Sequence, residues 1–316
     1  MSQSLDLTIT IVSWNTEELT RNCLKSLLTE NVKRMAEIHV VDNNSSDGSV
    51  EMIRREFPEV RLFVNKENLG FARANNQSWR EAKGRFWLLL NSDTIVKPKA
   101  IEKLKAFMDA HPQAGMASAK LLNPDGTVQC CAQREEGIFT TLLEFSRFHK
   151  LLPAKMRGNL LLSTYFSYDR PQKLGWAWGT ALIVRRAAIE KAGELSDDYF
   201  MYGEDMEWGL RMRRHGWEVW FCPDAEIIHF GGQSSDQVWS YTEKNTIILN
   251  NCYQAMEKHR GRFYVKVLQF VTLAVSSAEL FFSKIRRRKG GTEFQRSLVR
   301  YHLKKLKGKP TQTTVG

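Results

Sequence analysis

RFWLLLNSDTIVKP, residues 85–98, runs five apolar side chains in succession, Phe86 to Leu90, straight into Asn91-Ser92-Asp93. A continuous apolar run of that length reads as a strand buried on both faces, the habit of a parallel sheet. A carboxylate waiting at the end of such a strand sits where open parallel sheets bind their ligands.

Upstream, strand and helix alternate. LTITIVSW (7–14) is a predicted strand. TEELTRNCLKSLL (16–28) has helical spacing, with Leu19, Cys23, Leu24, Leu27 and Leu28 along one face and Thr16 placed to cap it. EIHVVDN (37–43) is the next strand; Ser45-Ser46-Asp47-Gly48 is a turn fit to cap a helix over 49–57, which Pro58 closes. VRLFVN follows as a third strand, 70–83 as a helix stopped by Gly84, and 85–91 as the fourth strand. Strands separated by helices of about a dozen residues imply right-handed βαβ units, hence an α/β, doubly wound, mainly parallel sheet.

After GMASAKLLNPDG (115–126) the regularity lapses. Residues 127–172 contain no clean strand and include the aromatic, basic stretch EFSRFHKLLPAKMRGNLLLSTYFSYDR. A long irregular insertion in a compact domain is expected to be a functional loop or lid. Order returns with GWAWGTALIVRR (175–186), a short helix to Gly193, and MYGEDMEWGLRMRRHGWEVWFCPDAEIIHFGG (201–232).

The 316 residues suffice for one large domain with an appendage, and 42% hydrophobic beside 26% charged residues is ordinary for a chain that buries a core. Five cysteines without a CxxC or metal-ligand spacing argue for a reducing compartment and against a disulfide framework or zinc site. MSQSLDLTIT lacks the regions of a secretory signal, so a cytoplasmic location is expected. Residues 258–309 hold 15 Lys or Arg against two Glu, a balance of +13 where the whole chain carries +11, which leaves the rest at −2. The basicity belongs to the tail, and a boundary is expected near residue 250.

Four polar clusters fall at strand or helix ends on the presumptive binding rim: Ser13-Trp14-Asn15, Asp42-Asn43-Asn44, Asn91-Ser92-Asp93 and Glu204-Asp205. Neither G-x-G-x-x-G nor G-x-x-x-x-G-K-[ST] is present, so a phosphate here needs another source of positive charge. A hard divalent ion on one or two carboxylates is the candidate. Simpler readings compete: Asp93 as cap of a helix near Pro98, Glu204 and Asp205 as acidic residues favoured at a helix start, and Trp176 and Trp178 as packing.

TIVSWNTEEL, VVDNNSSDGS, NLGFARANNQ, LLLNSDT, WAWGTALIVRR and FMYGEDMEWGLRMRRHGW occur in the order seen in family 2 glycosyltransferases, and most resemble the bacterial rhamnosyltransferase branch. The resemblance covers roughly residues 7–235. It implies a GT-A fold, a nucleotide-sugar donor, most simply dTDP-rhamnose, and inversion at the anomeric carbon. By position, Asn91-Ser92-Asp93 stands where the family has its Asp-x-Asp metal motif, with Asn91 replacing the first Asp. Asp93 would then hold Mg²⁺ or Mn²⁺ against the donor diphosphate, with His229 as a second ligand. Val12, Trp14, Asp42 and Asn43 match the nucleoside pocket, and Arg73 stands as a diphosphate or base contact. Asp205 matches the catalytic base, a role that transfer to a hydroxyl requires on chemical grounds. Glu204 would orient the base or the acceptor, and Trp176 and Trp178 would stack on a sugar.

These expectations divide the chain into a catalytic domain, 1–250, with 127–172 on the acceptor side, and a basic, amphipathic helical tail, 251–316. YVKVLQFVTLAVSSAELFF (264–282), interrupted by Lys266, Gln269 and Glu279 and followed by Lys284, Arg286, Arg287, Arg288 and Lys289, suits a helix lying on the anionic inner face of the cell membrane. A glycan or polyprenyl-linked acceptor in surface polysaccharide synthesis, O-antigen or cell wall, fits that position, and no nucleic acid is expected. The alternatives are a helix packed on the domain, a non-catalytic protein binding nucleic acid or membrane through its tail, and a transferase using a UDP-sugar.

Overall fold

The computed structural model describes residues 5–135, 137–146, 148–233, 237–285 and 292–306. The first half comprises β1 (Leu7–Ser13), α1 (Glu17–Leu27), α2 (Glu30–Met35), β2 (Ala36–Asp42), α3 (Ser49–Glu56), β3 (Arg61–Val64), α4 (Gly70–Trp79), β4 (Phe86–Asn91), β5 (Thr94–Val96), α5 (Ala100–Ala110) and β6 (Ala114–Leu122). β7 (Ala132–Gln133), α6 (Ile138–Ser146), α7 (Ala154–Leu161), β8 (Gln172–Leu174), β9 (Trp176–Ala177), β10 (Ala181–Arg185), α8 (Arg186–Ala192), α9 (Glu204–Arg214) and β11 (Glu218–His229) follow. The chain continues through α10 (Tyr241–Arg260), α11 (Arg262–Ile285) and α12 (Thr292–Leu306).

One mixed sheet runs in the order β3-β2-β1-β4-β10-β6-β11-β5, with β8 also paired to β11. β1 is parallel to β2 and β4, and β2 to β3; Phe86 to Leu90 are 0–2% exposed, so the apolar run is covered on both faces. β10 then enters antiparallel between β4 and β6, with Ala181 opposite Leu90, so that its start joins the carboxyl ends of β1, β2 and β4. β11 lies parallel to β6, with a register shift between Cys222 and Glu226. Pro223 falls in that bulge, where its missing N–H leaves no gap in the ladder.

Thr16 does not cap α1. Its hydroxyl turns inward to Ser13, Thr20 and Ser92, and Asp47 caps instead: one oxygen accepts from the Glu17 N–H at 2.9 Å and the other from the Ser49 N–H at 3.0 Å, so that one carboxylate caps α1 and α3 together. The insertion 127–172 is more regular than its sequence suggests. Among the described residues it holds the helices α6 and α7, two short 3-10 turns and the strand β7, which pairs with β9, and α6 packs along α11.

The tail is built into the body of the protein. Met206 and Leu210 of α9 form a second apolar cluster with Tyr253, Met256, Val265, Leu268 and Tyr301 from α10, α11 and α12. Beneath it, Glu207, fully buried, is bound by Arg211 at 2.8 Å and His259 at 3.1 Å. Residue 250, where the charge changes, therefore lies inside α10. The Lys284 side chain and Arg286, Arg287, Arg288 and Lys289 lie outside the described residues.

Candidate active site

The polar ends of β1, β2 and β4 share one rim, with Ser13 opposite Asp42 and Val12 opposite Asn91. Beyond Asn91 the chain turns through Ser92 and Asp93 into β5, which pairs with the last residues of β11 and sets Thr94 opposite His229. The Phe230 N–H donates to the Asp93 carbonyl at 3.0 Å, and His229 Nε2 lies 3.4 Å from Asp93 Oδ1. Both residues are nearly buried, at 8% and 7% exposure. His229 Nδ1 faces Gln129 Oε1 at 2.8 Å. The helix near Pro98 is not capped by Asp93: α5 starts after Lys99, with no side-chain cap.

The same rim receives Asp205. The Asn91 N–H donates to the Thr180 carbonyl at 2.9 Å, and the neighbouring Gly179 N–H donates to Asp205 Oδ2 at 3.2 Å. Two consecutive residues thus join the Asn91-Ser92-Asp93 turn to the Asp205 carboxylate. The Met206 N–H holds Oδ1 at 2.8 Å. The loop before α9 is pinned from two sides, by the Phe71 N–H on the Phe200 carbonyl and by Asn251 Nδ2 on the carbonyls of Met201 and Tyr202. It enters the helix through Gly203 at φ 101°, where a Cβ would come within 2.7 Å of the Asn251 Cβ.

Burial sets the chemistry of the acidic pair. Asp205 is pushed up from 3.8 to about 6 by loss of solvent, against the pull of the Met206 and Gly179 N–H groups. Glu204, 5% exposed with Oε2 unpartnered among the described residues, is pushed up strongly by burial and by the charge of Asp205. The two carboxyls therefore influence each other's ionisation, and Glu204 is the harder of the two to ionise. That is a base poised near its working range beside a carboxyl that resists ionisation.

On the β2 side, Asp42 is 1% exposed. Oδ2 accepts from the Ser45 N–H at 3.0 Å, while Oδ1 is buried with no partner among the described residues. Asn43 is occupied: its amide donates to Asn68 Oδ1 and the Gly70 carbonyl and accepts from Asn65 Nδ2 and the Leu69 N–H, tying down the loop before α4. Val12 and Trp14 are half-buried at the rim. Arg73 is exposed on α4, 3.9 Å from Asp197. Trp176 donates its indole N–H to the Arg134 carbonyl at 3.0 Å and packs on the α9–α11 cluster, whereas Trp178 packs on the main core. A cavity of about 1040 Å³ between α6, β8 and Arg260 lies at the opposite, amino end of β11.

Gly179, Thr180, Asn251 and Gln129 have positions here that the sequence reading did not assign. WAWGTAL carried the first two in plain sight, but a backbone donor leaves no side-chain signal. Asn251 and Gln129 lie far from the site along the chain, and nothing local marks them.

Residues 8–190 match the model of glycosyl transferase family 2. An N-acetylglucosaminyl-diphospho-decaprenol L-rhamnosyltransferase of Mycobacterium tuberculosis is 28% identical over 226 residues, 66% of this chain and 70% of that protein. A dTDP-rhamnosyl transferase of Shigella flexneri is 23% identical over 278 residues, 87% and 84% of the two chains. A mannosyltransferase of Pyrobaculum calidifontis, solved in complex with GDP-Man and Mn²⁺, superposes with a TM-score of 0.63 over 98% of this chain and 89% of its own, at 16% identity, a likeness of fold. With the mixed sheet, the rim of strand-end carboxylates and a family match over more than half its length, this chain belongs to glycosyl transferase family 2, as a glycosyltransferase of GT-A type with rhamnosyltransferase relatives.

Proposed function

We propose that the protein is an inverting rhamnosyltransferase that uses dTDP-rhamnose and a divalent cation to extend a glycan or lipid-linked acceptor. The observation that carries this reading is the pair of hydrogen bonds through Thr180 and Gly179, which sets Asp93 and Asp205 around one rim. The residues fit a cation: a carboxylate and an imidazole nitrogen face each other at 3.4 Å, both nearly buried. A nitrogen donor suits Mn²⁺ better than Mg²⁺. Bound by Asp93 and His229, such an ion would neutralise the charge of the departing diphosphate.

Asp205 takes the proton from the attacking acceptor hydroxyl. Its two oxygens are held by the Met206 and Gly179 N–H groups, so the carboxylate meets the hydroxyl in one orientation. Glu204, which burial and the charge of Asp205 make harder to ionise, limits the negative charge near that proton transfer. Asp42 Oδ1, a buried acceptor without a donor among the described residues, suits the imide N–H of thymine or uracil and would repel the bare ring nitrogen of cytosine. Asn43 supports this pocket by holding residues 65–70.

α11 exposes Phe263, Phe270, Phe281 and Phe282, and α6, which packs against it, exposes Phe139 and Leu142. α11 is long and apolar enough to cross a membrane by length and composition, and 17% of that stretch is buried. We assign it to the surface of an anionic bilayer, where a lipid-linked acceptor would be found.

A thermal-shift series with dTDP, UDP, GDP and CDP, each with and without Mn²⁺, tests the reading. Stabilisation by dTDP that needs Mn²⁺ supports it; equal response to CDP, or none to the metal, counts against it.

A further inference from the structure

The orientation of the Gln129 amide follows from its partners. Nε2 donates to the His229 backbone carbonyl at 2.8 Å and to Asn123 Oδ1 at 2.8 Å. A backbone carbonyl only accepts, so the nitrogen end of the amide faces it, and Oε1 faces His229 Nδ1. An amide oxygen also only accepts, so Nδ1 carries the hydrogen. In the neutral ring Nε2 is then bare, and Nε2 is the atom that lies 3.4 Å from Asp93 Oδ1. Two nearly buried acceptors aimed at each other repel unless something positive stands between them.

Gln129 is itself braced. Its N–H donates to the Leu121 carbonyl at 2.9 Å, and Asn123 Nδ2 donates to Thr127 Oγ1 at 2.8 Å, so the hairpin after β6 fixes the amide. We propose that Gln129 is a positioning residue that locks His229 in the Nδ1–H tautomer and presents Nε2 to the divalent cation shared with Asp93. This rests on the metal reading above. Partners of this kind commonly change metal affinity by about 10–100-fold when removed.

Two variants separate tautomer control from simple bracing. Both Gln129→Met and Gln129→Glu lose the two Nε2 hydrogen bonds, but Glu still accepts from Nδ1–H. Titration with Mn²⁺ alone, followed by the EPR signal of the free ion, is expected to give binding about 10–100-fold weaker in Gln129→Met and no weaker than wild type in Gln129→Glu. Nitrogen-15 NMR of the metal-free wild type near pH 8 is expected to show His229 protonated on Nδ1. A ring protonated on Nε2, a Gln129→Met protein that binds Mn²⁺ as wild type does, or equal loss in both variants would overturn the inference. Asp93→Asn and His229→Ala serve as controls: if both bind Mn²⁺ normally the metal site itself is misplaced, whereas if only Gln129→Met is normal the error lies with Gln129.

Discussion

Asp205→Asn separates catalysis from stability, and the two effects have opposite signs. At neutral pH, holding an acid ionised that burial has moved from 3.8 to about 6 costs the folded state about 3 kcal/mol. Asparagine removes that penalty. Against it, the carboxylate accepts two backbone N–H groups, from Met206 at 2.8 Å and Gly179 at 3.2 Å, whereas the amide has one oxygen to offer. One N–H is left facing an NH₂ group, at about 1–3 kcal/mol. The net is between neutral and about 2 kcal/mol stabilising at pH 7.5. Because folding favours the protonated form of Asp205, its penalty is complete above about pH 6 and gone below 3.8, so the stability difference from wild type should move against the variant on acidification. Transfer, lacking its base, should fall by about 10²–10⁴-fold in kcat. Urea unfolding at pH 7.5 and pH 5, beside a donor-consumption assay, measures both. A variant less stable than wild type by more than 2 kcal/mol at pH 7.5, or one within about tenfold of wild-type kcat, would refute the reasoning.

Several further outcomes follow from the same geometry. kcat/KM should fall about tenfold per pH unit below about pH 6, as Asp205 takes up its proton. Glu204→Gln removes a carboxyl that resists ionisation beside Asp205 and should leave that limb in place; a marked downward shift would mean that negative charge on Glu204 had been holding Asp205 up. Glu207→Ala strips the buried partner of Arg211 and His259 and should cost about 3–5 kcal/mol in chemical denaturation. Gly203→Ala must force a side chain into a left-handed position against Asn251, and should lower kcat together with about 1–3 kcal/mol of stability, seen in paired turnover and melting measurements.

Much of the fold was legible because parallel strands write themselves as unbroken apolar runs. Phe86–Leu90 needed no partner to be recognised, and Leu7–Ser13, though two threonines interrupt its apolar residues, was marked by the β-branched run Thr8 to Val12. Strand direction is not written locally: nothing in ALIVR says that β10 runs against β4, yet that reversal carries Gly179 and Thr180 to the rim. The insertion misled through composition, since its helix α6 packs on α11 and its aromatic residues Phe166 and Tyr168 pack in the main core against Phe221. In the site, acidic side chains at element ends were readable and their supports were not. Asp47 rather than Thr16 caps α1 because Thr16 is drawn into a buried hydroxyl cluster, a preference that only tertiary packing decides. Asn43 likewise spends its amide on a loop more than twenty residues away.

The most direct measurement is calorimetric titration of dTDP, with and without Mn²⁺, into wild type, Asp93→Asn and Asp205→Asn, beside turnover of each. Metal-dependent nucleotide binding should be lost in Asp93→Asn and kept in Asp205→Asn, while turnover is lost in both. Binding lost equally in both variants, or retained in Asp93→Asn, would contradict a site in which one carboxylate holds the diphosphate's counter-ion and the other accepts the proton.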